Sequence, residues 1–267
     1  MDKEIIISDT LEAVERMQHE GYLTHAYCHG GECDFTMDGR QFRFAQGDCL
    51  IVPHQELHFA VCRQSDSLAV TVIYVRFDFI QTATPYTNYG TRGHFSLFEN
   101  PVMHLTPDQQ KVCALNFDYI RHRLAVESHR FHREAMRNAI ECMIIDFFDF
   151  HVELYGDQQI SGPNAQLMQQ FIALLEGGNF RQHREVGWYA DRLCVTPKYL
   201  SEVSNKTSGQ PALYWITRYT ALDISRQLRT TDLTLEQLAD LYSFASVSYF
   251  IRYVQKNLGA SPSSFRE

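Results

Sequence analysis

The chain has 267 residues, of which 45% are hydrophobic and 21% charged, and its formal net charge is -8. This length accommodates two domains of ordinary size, each with its own core. No apolar run approaches the ~20 residues that a membrane span requires, and the acidic start lacks the features of a secretory leader, so we expect a cytoplasmic protein without a membrane partner.

The acidic charge is unevenly spread along the chain. Residues 160–267 contain 11 Lys and Arg against 9 Asp and Glu, a net charge of +2, whereas residues 1–159 contain 13 against 23, a net charge of -10. Because phosphate contacts favour a basic surface, the C-terminal part is the candidate for a nucleic-acid partner. The seven cysteines form no CxxC pair, which predicts buried, reduced thiols rather than a zinc or redox site.

Short runs rich in β-branched and aromatic residues occupy about residues 20–80. Turn signals separate them at Gly30-Gly31, Asp38-Gly39 and Gly47-Asp48. The Asp38-Gly39 pair between two alternating runs is a strong hairpin signal. The spacing predicts a small β-barrel or sandwich, and residues 81–104 read as a loop without a clear pattern.

The hydrophobic period changes after Thr106-Pro107, which is typical of an N-cap and a first helical residue. Two helices are predicted within about residues 107–155. Polar residues 156–163 then indicate a domain boundary, so we expect one domain over residues 1–158 and a second over 165–267. The apolar residues at helical spacing are Val112, Leu115, Tyr119, Met136, Ala139, Ile140, Met143, Ile144 and Phe147.

Two helix pairs with the same layout follow. Val186, Tyr189, Ala190 and Leu193 predict a short amphipathic helix, Cys194-Val195 a tight turn, and Thr196-Pro197 the start of a second helix with Leu200 and Val203 turned inward. The small Ala190 permits a close helix crossing. These features are typical of a helix-turn-helix.

The layout returns 49 residues later. It comprises Leu235, Leu238, Ala239 and Tyr242 after the capping box Thr234-x-x-Gln237, with Ser246 placed to cap a helix that buries Phe250, Tyr253 and Val254. The second turn is one residue longer than the first. Residues 211–228 are predicted to form a long helix that connects the two pairs.

At this point the C-terminal part resembles the AraC/XylS family of bacterial transcription regulators over about residues 165–267. The motifs are Ala190-Asp191-Arg192-Leu193-x-x-Thr196-Pro197-x-Tyr199-Leu200-Ser201, Ala239-Asp240-Leu241-Tyr242-Ser243-Phe244-x-Ser246-x-Ser248-Tyr249-Phe250-x-Arg252, and Lys256-x-x-Gly259-x-Ser261-Pro262-x-x-Phe265-Arg266. Two positions depart from the family pattern. Ser243 replaces a Gly, which leaves the turn geometry open because Gly takes a positive φ more cheaply, and Ser204 replaces a large apolar residue, which predicts a locally weaker core.

The resemblance implies a sequence-specific DNA-binding regulator in which both units meet successive major-groove segments of double-stranded DNA. The exposed N-terminal faces of the second helices supply the candidate contacts. Arg252 is suited to guanine, Glu202 to a cytosine amino group or to an ion pair with a neighbouring cation, and Lys206 to a phosphate. The full candidate set is Lys198, Ser201, Glu202, Asn205, Lys206, Ser246, Val247, Ser248, Ile251, Arg252 and Lys256.

The N-terminal part resembles a cupin barrel in the stretch Gly47-Asp48-x-x-x-x-Pro53-x-x-x-x-His58. Many regulators of the AraC/XylS family carry such a sensor domain. The resemblance therefore implies an α+β two-domain protein, with a cupin-like barrel and helices before an all-α domain. It also implies a small-molecule effector, a homodimer formed through the helices at 107–155, and RNA polymerase as a partner if the protein activates transcription.

Two other functions stay open. A metal-dependent cupin enzyme with an appended helical domain requires a His-x-His and a Glu in an early strand, and His25, His29 and Glu32 lack that spacing, so no metal, cofactor or catalytic residue is assigned. Whether these three residues or His58 line a ligand pocket is left open. A protein-binding adaptor is the other alternative, and the apolar stripe on the helices at 107–155 could also close onto the barrel.

Overall fold

The computed structural model describes residues 4–54, 57–84, 88–156 and 162–266. Within these ranges the side chains of residues 19, 81, 88–92, 94 and 155 are not described. The chain divides into an N-terminal unit, Met1–Gln159, and a C-terminal unit, Ile160–Glu267. The polar stretch that indicated a domain boundary falls mostly on residues 157–161, which lie outside the described residues.

The N-terminal unit contains two antiparallel sheets. Their strand orders are β1-β7-β2-β5-β8 and β4-β3-β6. The predicted strand-rich region is confirmed, but the described strands of the two sheets share no backbone ladder, so the fold is two sheets rather than a closed barrel. The strands are β1 (Ile5–Ser8), β2 (Tyr22–Gly30), β3 (Glu32–Met37), β4 (Arg40–Ala45), β5 (Asp48–Val52), β6 (Phe59–Gln64), β7 (Ala69–Arg76) and β8 (Val102–His104).

Glycine marks the place where the chain leaves one sheet for the other. The register of β2 against β7 shifts between Cys28 and Gly30, and β3 starts two residues later in the second sheet. Gly31 between them has φ of 71°, and a Cβ there would lie 2.6 Å from the backbone nitrogen of Leu68. Only glycine fits this corner, because a side chain would be both strained and obstructed.

The predicted hairpin forms at Asp38-Gly39. Both residues have positive φ, 49° and 74°, as a type I′ turn between twisted strands requires. The Asp38 carboxylate accepts a hydrogen bond of 3.0 Å from the backbone N–H of His58. This contact ties the hairpin to the residue that precedes β6.

Strand alternation gives the five-stranded sheet two buried faces. On β2, Leu23 and Tyr27 pack with the helices in one apolar core. Aromatic rings fill the space toward the three-stranded sheet, where Phe35 and Phe59 stack with centroids 4.9 Å apart and Phe44 is fully buried. The sheet is therefore covered on both faces.

Helices cover the outer face of the larger sheet. Two of them lie within residues 107–155, and the first starts with a capping box in which Thr106 and Gln109 satisfy each other's backbone N–H groups. Residues 81–104, which were predicted to be a loop, contain a helix and a strand. The helix was missed because its glycines weaken the helical pattern in the sequence. The helices are α1 (Val14–His19), α2 (Phe77–Ala83), α3 (Asn88–Glu99), α4 (Pro107–Ala125) and α5 (His132–Tyr155).

The apolar stripe predicted on α4 faces outward. Val112, Leu115 and Tyr119 are 39%, 68% and 47% exposed. The side that packs against the rest of the unit carries Gln109, Cys113, Phe117 and Ile120 instead. The α4 part of the stripe therefore does not close onto the sheets, because helical periodicity identifies a shared face but not the face that is buried. The α5 part is buried in one core with strand residues and comprises Met136, Ala139, Ile140, Met143, Ile144 and Phe147.

The cysteines are free thiols, and four of the seven are buried. Burial raises the pKa of Cys33 to about 12 and that of Cys28 to about 11. The prediction of buried thiols is wrong for Cys62, Cys142 and Cys194, which are exposed, because cysteine spacing carries no information on exposure.

The C-terminal unit is helical in its described residues. Its long helix buries Trp215 and Tyr219 completely, and its first helix starts at residue 162, three residues before the predicted domain. Across the described chain, no helix is long and apolar enough to cross a membrane. The helices are α6 (Gly162–Glu176), α7 (Val186–Arg192), α8 (Pro197–Ser208), α9 (Ala212–Thr230), α10 (Leu235–Leu241) and α11 (Val247–Leu258), with short 3₁₀ helices at Asn179–Arg181 and Pro262–Phe265.

Candidate nucleic-acid interface

The first helix pair, α7 and α8, has helix-turn-helix geometry. Tyr189 and Ala190 of α7 are fully buried where the helices cross. The turn passes through Cys194 with φ of 56°, and the backbone N–H of Val195 donates to the carbonyl of Ala190 at 3.0 Å. The hydroxyl of Thr196 then caps α8 by accepting from the backbone N–H of Tyr199 at 3.2 Å.

The second pair, α10 and α11, repeats these contacts. Thr234 and Gln237 form the predicted capping box at the start of α10. The turn passes through Ser243 with φ of 51°, and the N–H of Phe244 donates to the carbonyl of Ala239 at 2.8 Å. The hydroxyl of Ser246 caps α11 by accepting from the N–H of Tyr249.

The second helices of the two pairs match residue by residue. Each has 12 residues, starts after a capping hydroxyl and ends at a glycine, Gly209 or Gly259, with φ of 75° or 74°. Thr196 therefore corresponds to Ser246, and each position of α8 corresponds to the position of α11 that lies 50 residues later.

The turn at Ser243 shows how the chain compensates for the missing glycine. The Ser243 hydroxyl donates to the side-chain oxygen of Gln182 at 2.8 Å, and its carbonyl accepts from Arg184 at 3.2 Å. Arg184 also donates to the carbonyl of Tyr242, and its guanidinium lies 4.2 Å from the Phe244 ring centroid. A positive φ on serine is thus held by contacts from outside the turn.

Cys194 lacks such contacts among those described, which gives a stability prediction. Replacing this exposed residue with glycine removes the strain of a positive φ and should stabilise the C-terminal unit by about 0.5–1 kcal/mol. Urea unfolding followed by tryptophan fluorescence measures this, because both tryptophans, Trp188 and Trp215, lie in that unit. Cys194→Ala is the control, since alanine keeps the strain and should give no gain. A loss of stability in Cys194→Gly would contradict the strain argument.

Ser204 is fully buried in α8 at the other position that departs from the family pattern. Its hydroxyl donates to the carbonyl of Gln210 at 2.8 Å. The hydroxyl of Ser208 donates to the Ser204 carbonyl at 2.8 Å and accepts from the indole N–H of Trp215 at 2.7 Å. Hydrogen bonds therefore satisfy the polar groups that replace an apolar contact here.

Asp223 of α9 ties the second helix pair to the rest of the unit. It is 1% exposed, and its carboxylate accepts from Arg181 at 2.6 and 3.0 Å, from Arg226 at 2.9 Å and from the Tyr242 hydroxyl at 2.8 Å. Burial alone would raise the pKa of this carboxyl, but Arg181 and the other donors outweigh burial and lower it. The aspartate therefore stays charged and fixes α9 against the end of α10.

The predicted contact residues lie on the outward sides of α8 and α11, apart from the turns and the core. Lys198 and Glu202 are exposed and lie 3.8 Å apart in an i, i+4 pair, so the alternative pairing considered for Glu202 forms in this structure. Arg252 is exposed, with its guanidinium 6.0 Å from the Tyr249 ring. Ser201, Val247 and Ile251 are half-buried, and Asn205, Lys206, Ser246, Ser248 and Lys256 are exposed.

Three exposed residues on the same faces were not predicted. Tyr199 and Tyr249 occupy the same position in the first turns of α8 and α11 and are 44% and 50% exposed. The Tyr199 hydroxyl donates to Asn164 of α6 at 3.0 Å, whereas Tyr249 packs edge-on against Phe244. Gln255 is exposed at the position of α11 that corresponds to Asn205. Comparing the two helices position by position would have identified all three.

The histidines and the glutamate considered in the N-terminal unit are dispersed. His29 hydrogen-bonds Thr71 at 2.9 Å, Glu32 pairs with Arg43, and His58 pairs with Glu15 at 2.8 Å. His25 is buried and lines a cavity on the helix side of the larger sheet. Within the described ranges, no three His, Cys, Asp or Glu residues are arranged to hold a metal ion.

Comparisons with known proteins agree with this arrangement. A model of the AraC-like ligand binding domain matches residues 7–115, and a helix-turn-helix domain model matches residues 189–267. A search of curated proteins returns no significant match.

Several solved structures are similar to this chain over most of its length or over its C-terminal part. ToxT from Vibrio cholerae with a bound unsaturated fatty acid is 12% identical with a TM-score of 0.48, covering 98% of this chain and 93% of that chain. A second ToxT structure from Vibrio cholerae is 12% identical with a TM-score of 0.49, covering 98% and 95%. The C-terminal domain of the response regulator yesN from Fusobacterium nucleatum is 22% identical with a TM-score of 0.35, covering 38% of this chain and 99% of that domain.

A sheet-rich N-terminal unit that matches a ligand-binding domain model, followed by two capped helix-turn-helix pairs, defines a DNA-binding protein with an attached ligand-binding domain. The chain belongs to the AraC/XylS family and is a DNA-binding transcription regulator.

Proposed function

We propose that α8 and α11 act as the two reading helices of this regulator and enter successive major-groove segments, about one helical turn or ~34 Å apart along the DNA. The observation that carries the proposal is the residue-by-residue match of the two helices, from the capping hydroxyl to the terminal glycine. A matched pair presents equivalent faces, so both helices suit the same groove geometry.

The residues on these faces divide into two roles. Arg252 is suited to bidentate contact with a guanine, Glu202 to a cytosine amino group, and Val247 or Ile251 to a thymine methyl. Glu202 must leave its ion pair with Lys198 to do so, which is a weak interaction between two exposed side chains. Lys198, Ser201, Ser246 and Ser248 lie beside them, and Asn205, Lys206 and Lys256 are suited to phosphates or sugars.

Binding of the full chain to duplex DNA at several salt concentrations tests this proposal. Lysine and arginine contacts with phosphates release counterions, so the affinity should fall steeply as salt increases. An affinity that does not depend on salt, or the absence of binding to any duplex in a random pool, would instead favour the protein-binding adaptor.

We also propose that the N-terminal unit binds an effector rather than catalysing a reaction. Its match to a ligand-binding domain model supports this role, and the dispersal of His29, Glu32 and His58 gives no combined acid, base or metal-ligand set. Elemental analysis of the purified protein tests the alternative, since one stoichiometric iron, manganese or zinc per chain would favour a metal-dependent cupin enzyme.

The exposed stripe on α4 supports a homodimer. Val112, Leu115 and Tyr119 are large apolar side chains on one helix face, and such patches mark association surfaces. A second copy of the chain would cover the stripe and place two DNA-binding units on one operator, which raises the affinity through effective concentration. If the protein activates transcription, RNA polymerase is a further partner, and we place its action in the cytoplasm.

Leu115→Glu tests the dimer. A charge in the middle of the stripe should convert the dimer to a monomer, because a carboxylate buried in an apolar interface lacks a partner. Sedimentation equilibrium measures the change. Leu213→Glu is the matched control, since Leu213 is another exposed leucine, 52% accessible, on α9. A wild-type protein that is already monomeric, or a Leu115→Glu variant that stays dimeric, would exclude this surface.

A further inference from the structure

The N-terminal unit contains a cavity between the five-stranded sheet and its helices. Its volume is about 120 Å³. His25 and Ile51 form the sheet side, Gly93 and Leu97 come from α3, and Ile144 and Phe147 from α5. The cavity therefore lies on the opposite face of the sheet from the aromatic rings that fill the space between the two sheets.

The size of the cavity limits its occupant. Cavities of about 150 Å³ lined by Leu, Ile and Phe stay dry and bind benzene. A volume slightly below this, with a wall that is mostly aliphatic and aromatic, suits one six-membered ring with a small substituent or a short branched chain. A long acyl chain or a sugar exceeds this volume.

His25 is a polar residue of the described wall that is available to such an occupant. His25 is 4% exposed and stacks on Phe147, with centroids 6.1 Å apart. Its Nδ1 atom is buried and makes no hydrogen bond of normal geometry. Burial lowers the pKa of His25 to about 4, and the opposing effect of a backbone hydrogen bond with Ile73, which raises the pKa, is smaller. The imidazole is therefore neutral at physiological pH, and a buried polar atom of this kind favours a ligand that can bond to it.

The cavity lacks fixed charge in its described wall. None of the described lining residues is Lys, Arg, Asp or Glu, and the polar side chains are His25, Thr84 and His151. A carboxylate or an ammonium group would lose its hydration here without gaining a partner of opposite charge. The described part of the wall therefore favours an uncharged ligand.

We propose that the effector is a small uncharged molecule of about one ring in size, which carries a single hydrogen-bonding group and binds between the sheet and helices α3 and α5 with that group at His25. This inference rests on the proposed role of the N-terminal unit as a ligand sensor. Because α5 is the last described helix before the C-terminal unit, occupancy of the cavity would act on the helix nearest in sequence to the DNA-binding part.

Three probes of similar size test the chemistry of the cavity on the full chain. Phenol is uncharged with one hydroxyl, toluene lacks the hydroxyl, and benzoate carries a charge. Titration calorimetry and ligand-detected NMR should show saturable binding of phenol, weaker binding of toluene and none of benzoate. The absence of saturable phenol binding, or benzoate binding as tightly as phenol, would overturn the proposal.

Two substitutions test the location. A Cβ at Gly93 would meet no atom within 4 Å, so Gly93→Leu can fill the cavity and should abolish saturable phenol binding. His25→Phe keeps the ring but loses Nδ1, and should weaken phenol binding about tenfold, to the level of toluene. Thr24→Val is the matched control, because Thr24 is the neighbouring buried residue of β2 and points to the other face of the sheet.

Thr24→Val should leave phenol binding unchanged. If phenol binds equally well to wild type, Gly93→Leu and His25→Phe, the site lies elsewhere and the proposal is wrong. Duplex DNA affinity is measured on the same preparations. If the wild-type protein binds DNA in a salt-dependent way but does not bind phenol, only the cavity inference is wrong. If the wild-type protein does not bind duplex DNA, the proposed function is wrong.

Discussion

Asp223→Asn should destabilise the C-terminal unit by about 3–5 kcal/mol, because it removes the buried negative charge that Arg181, Arg226 and the Tyr242 hydroxyl contact. Asn keeps the size of the side chain but cannot compensate the positive charges of Arg181 and Arg226, whose side chains are 36% and 26% exposed. The Tyr242 hydroxyl would also lose its carboxylate acceptor. DNA affinity should fall together with stability, because Tyr242 caps the C-terminal end of α10 and its position fixes the placement of the second helix pair.

The measurement is urea unfolding followed by the fluorescence of the two tryptophans. Asp232→Asn is the matched control, since Asp232 is exposed and lies just after α9, and this change should stay within about 0.5 kcal/mol of wild type. An Asp223→Asn variant as stable as wild type would show that the four hydrogen bonds make no net contribution.

The same comparison has a pH dependence of defined sign. The folded-state pKa of Asp223 is lowered, so its charge stabilises the fold at pH values above the unfolded pKa of ~3.9 and this contribution is lost as the pH falls through the lower folded value. The difference in unfolding free energy between wild type and Asp223→Asn should therefore be constant near neutrality and shrink below about pH 4. A difference that grew on acidification would contradict the assignment of a charged aspartate.

Arg252→Ala should change which DNA sequences the protein selects. If Arg252 forms a bidentate contact with guanine, its loss should cost about 1–3 kcal/mol on the preferred operator and relax the preference at one base pair. Selection of bound duplexes from a random pool measures the preference. An unchanged preference would remove Arg252 from the residues that read bases.

Lys206→Ala provides the contrasting variant. A phosphate contact carries no sequence information, so this change should weaken binding to all duplexes about equally and reduce the salt slope by about 1. Lys256 occupies the corresponding position of α11, and Lys256→Ala should behave in the same way. If either lysine variant altered base preference, the division into reading and positioning residues would be wrong.

Helix caps and the hairpin turn were predictable from the sequence because each depends on a few consecutive residues. Thr196, Thr234 and Ser246 were identified as caps because a hydroxyl before a helix satisfies backbone N–H groups within three residues. Asp38-Gly39 was identified because a two-residue hairpin requires positive φ at both positions. The helix-turn-helix pairs combine several such signals at fixed spacing.

Features that depend on distant contacts were not predictable. The strands within about residues 20–80 were expected to form a small barrel or a sandwich, and the choice between them depends on pairing between strands far apart in sequence. The α4 stripe has the same period whether it is buried or exposed. The Asp223 network was missed because its partners come from three separate segments, and α3 was missed because Gly90 and Gly93 weaken the helical signal.

If α8 and α11 are the reading helices, the hydrogen bond from Tyr199 to Asn164 makes them unequal. Asn164 lies in the first turn of α6, the first described helix after the N-terminal unit, whereas Tyr249 rests on a ring of its own helix pair. A movement of α6 that broke this hydrogen bond would weaken the contact of α8 with its half of the operator and leave the contact of α11 unchanged. The protected length of DNA would then shorten by about one helical turn, and the protein would remain bound at a partial footprint instead of leaving the operator.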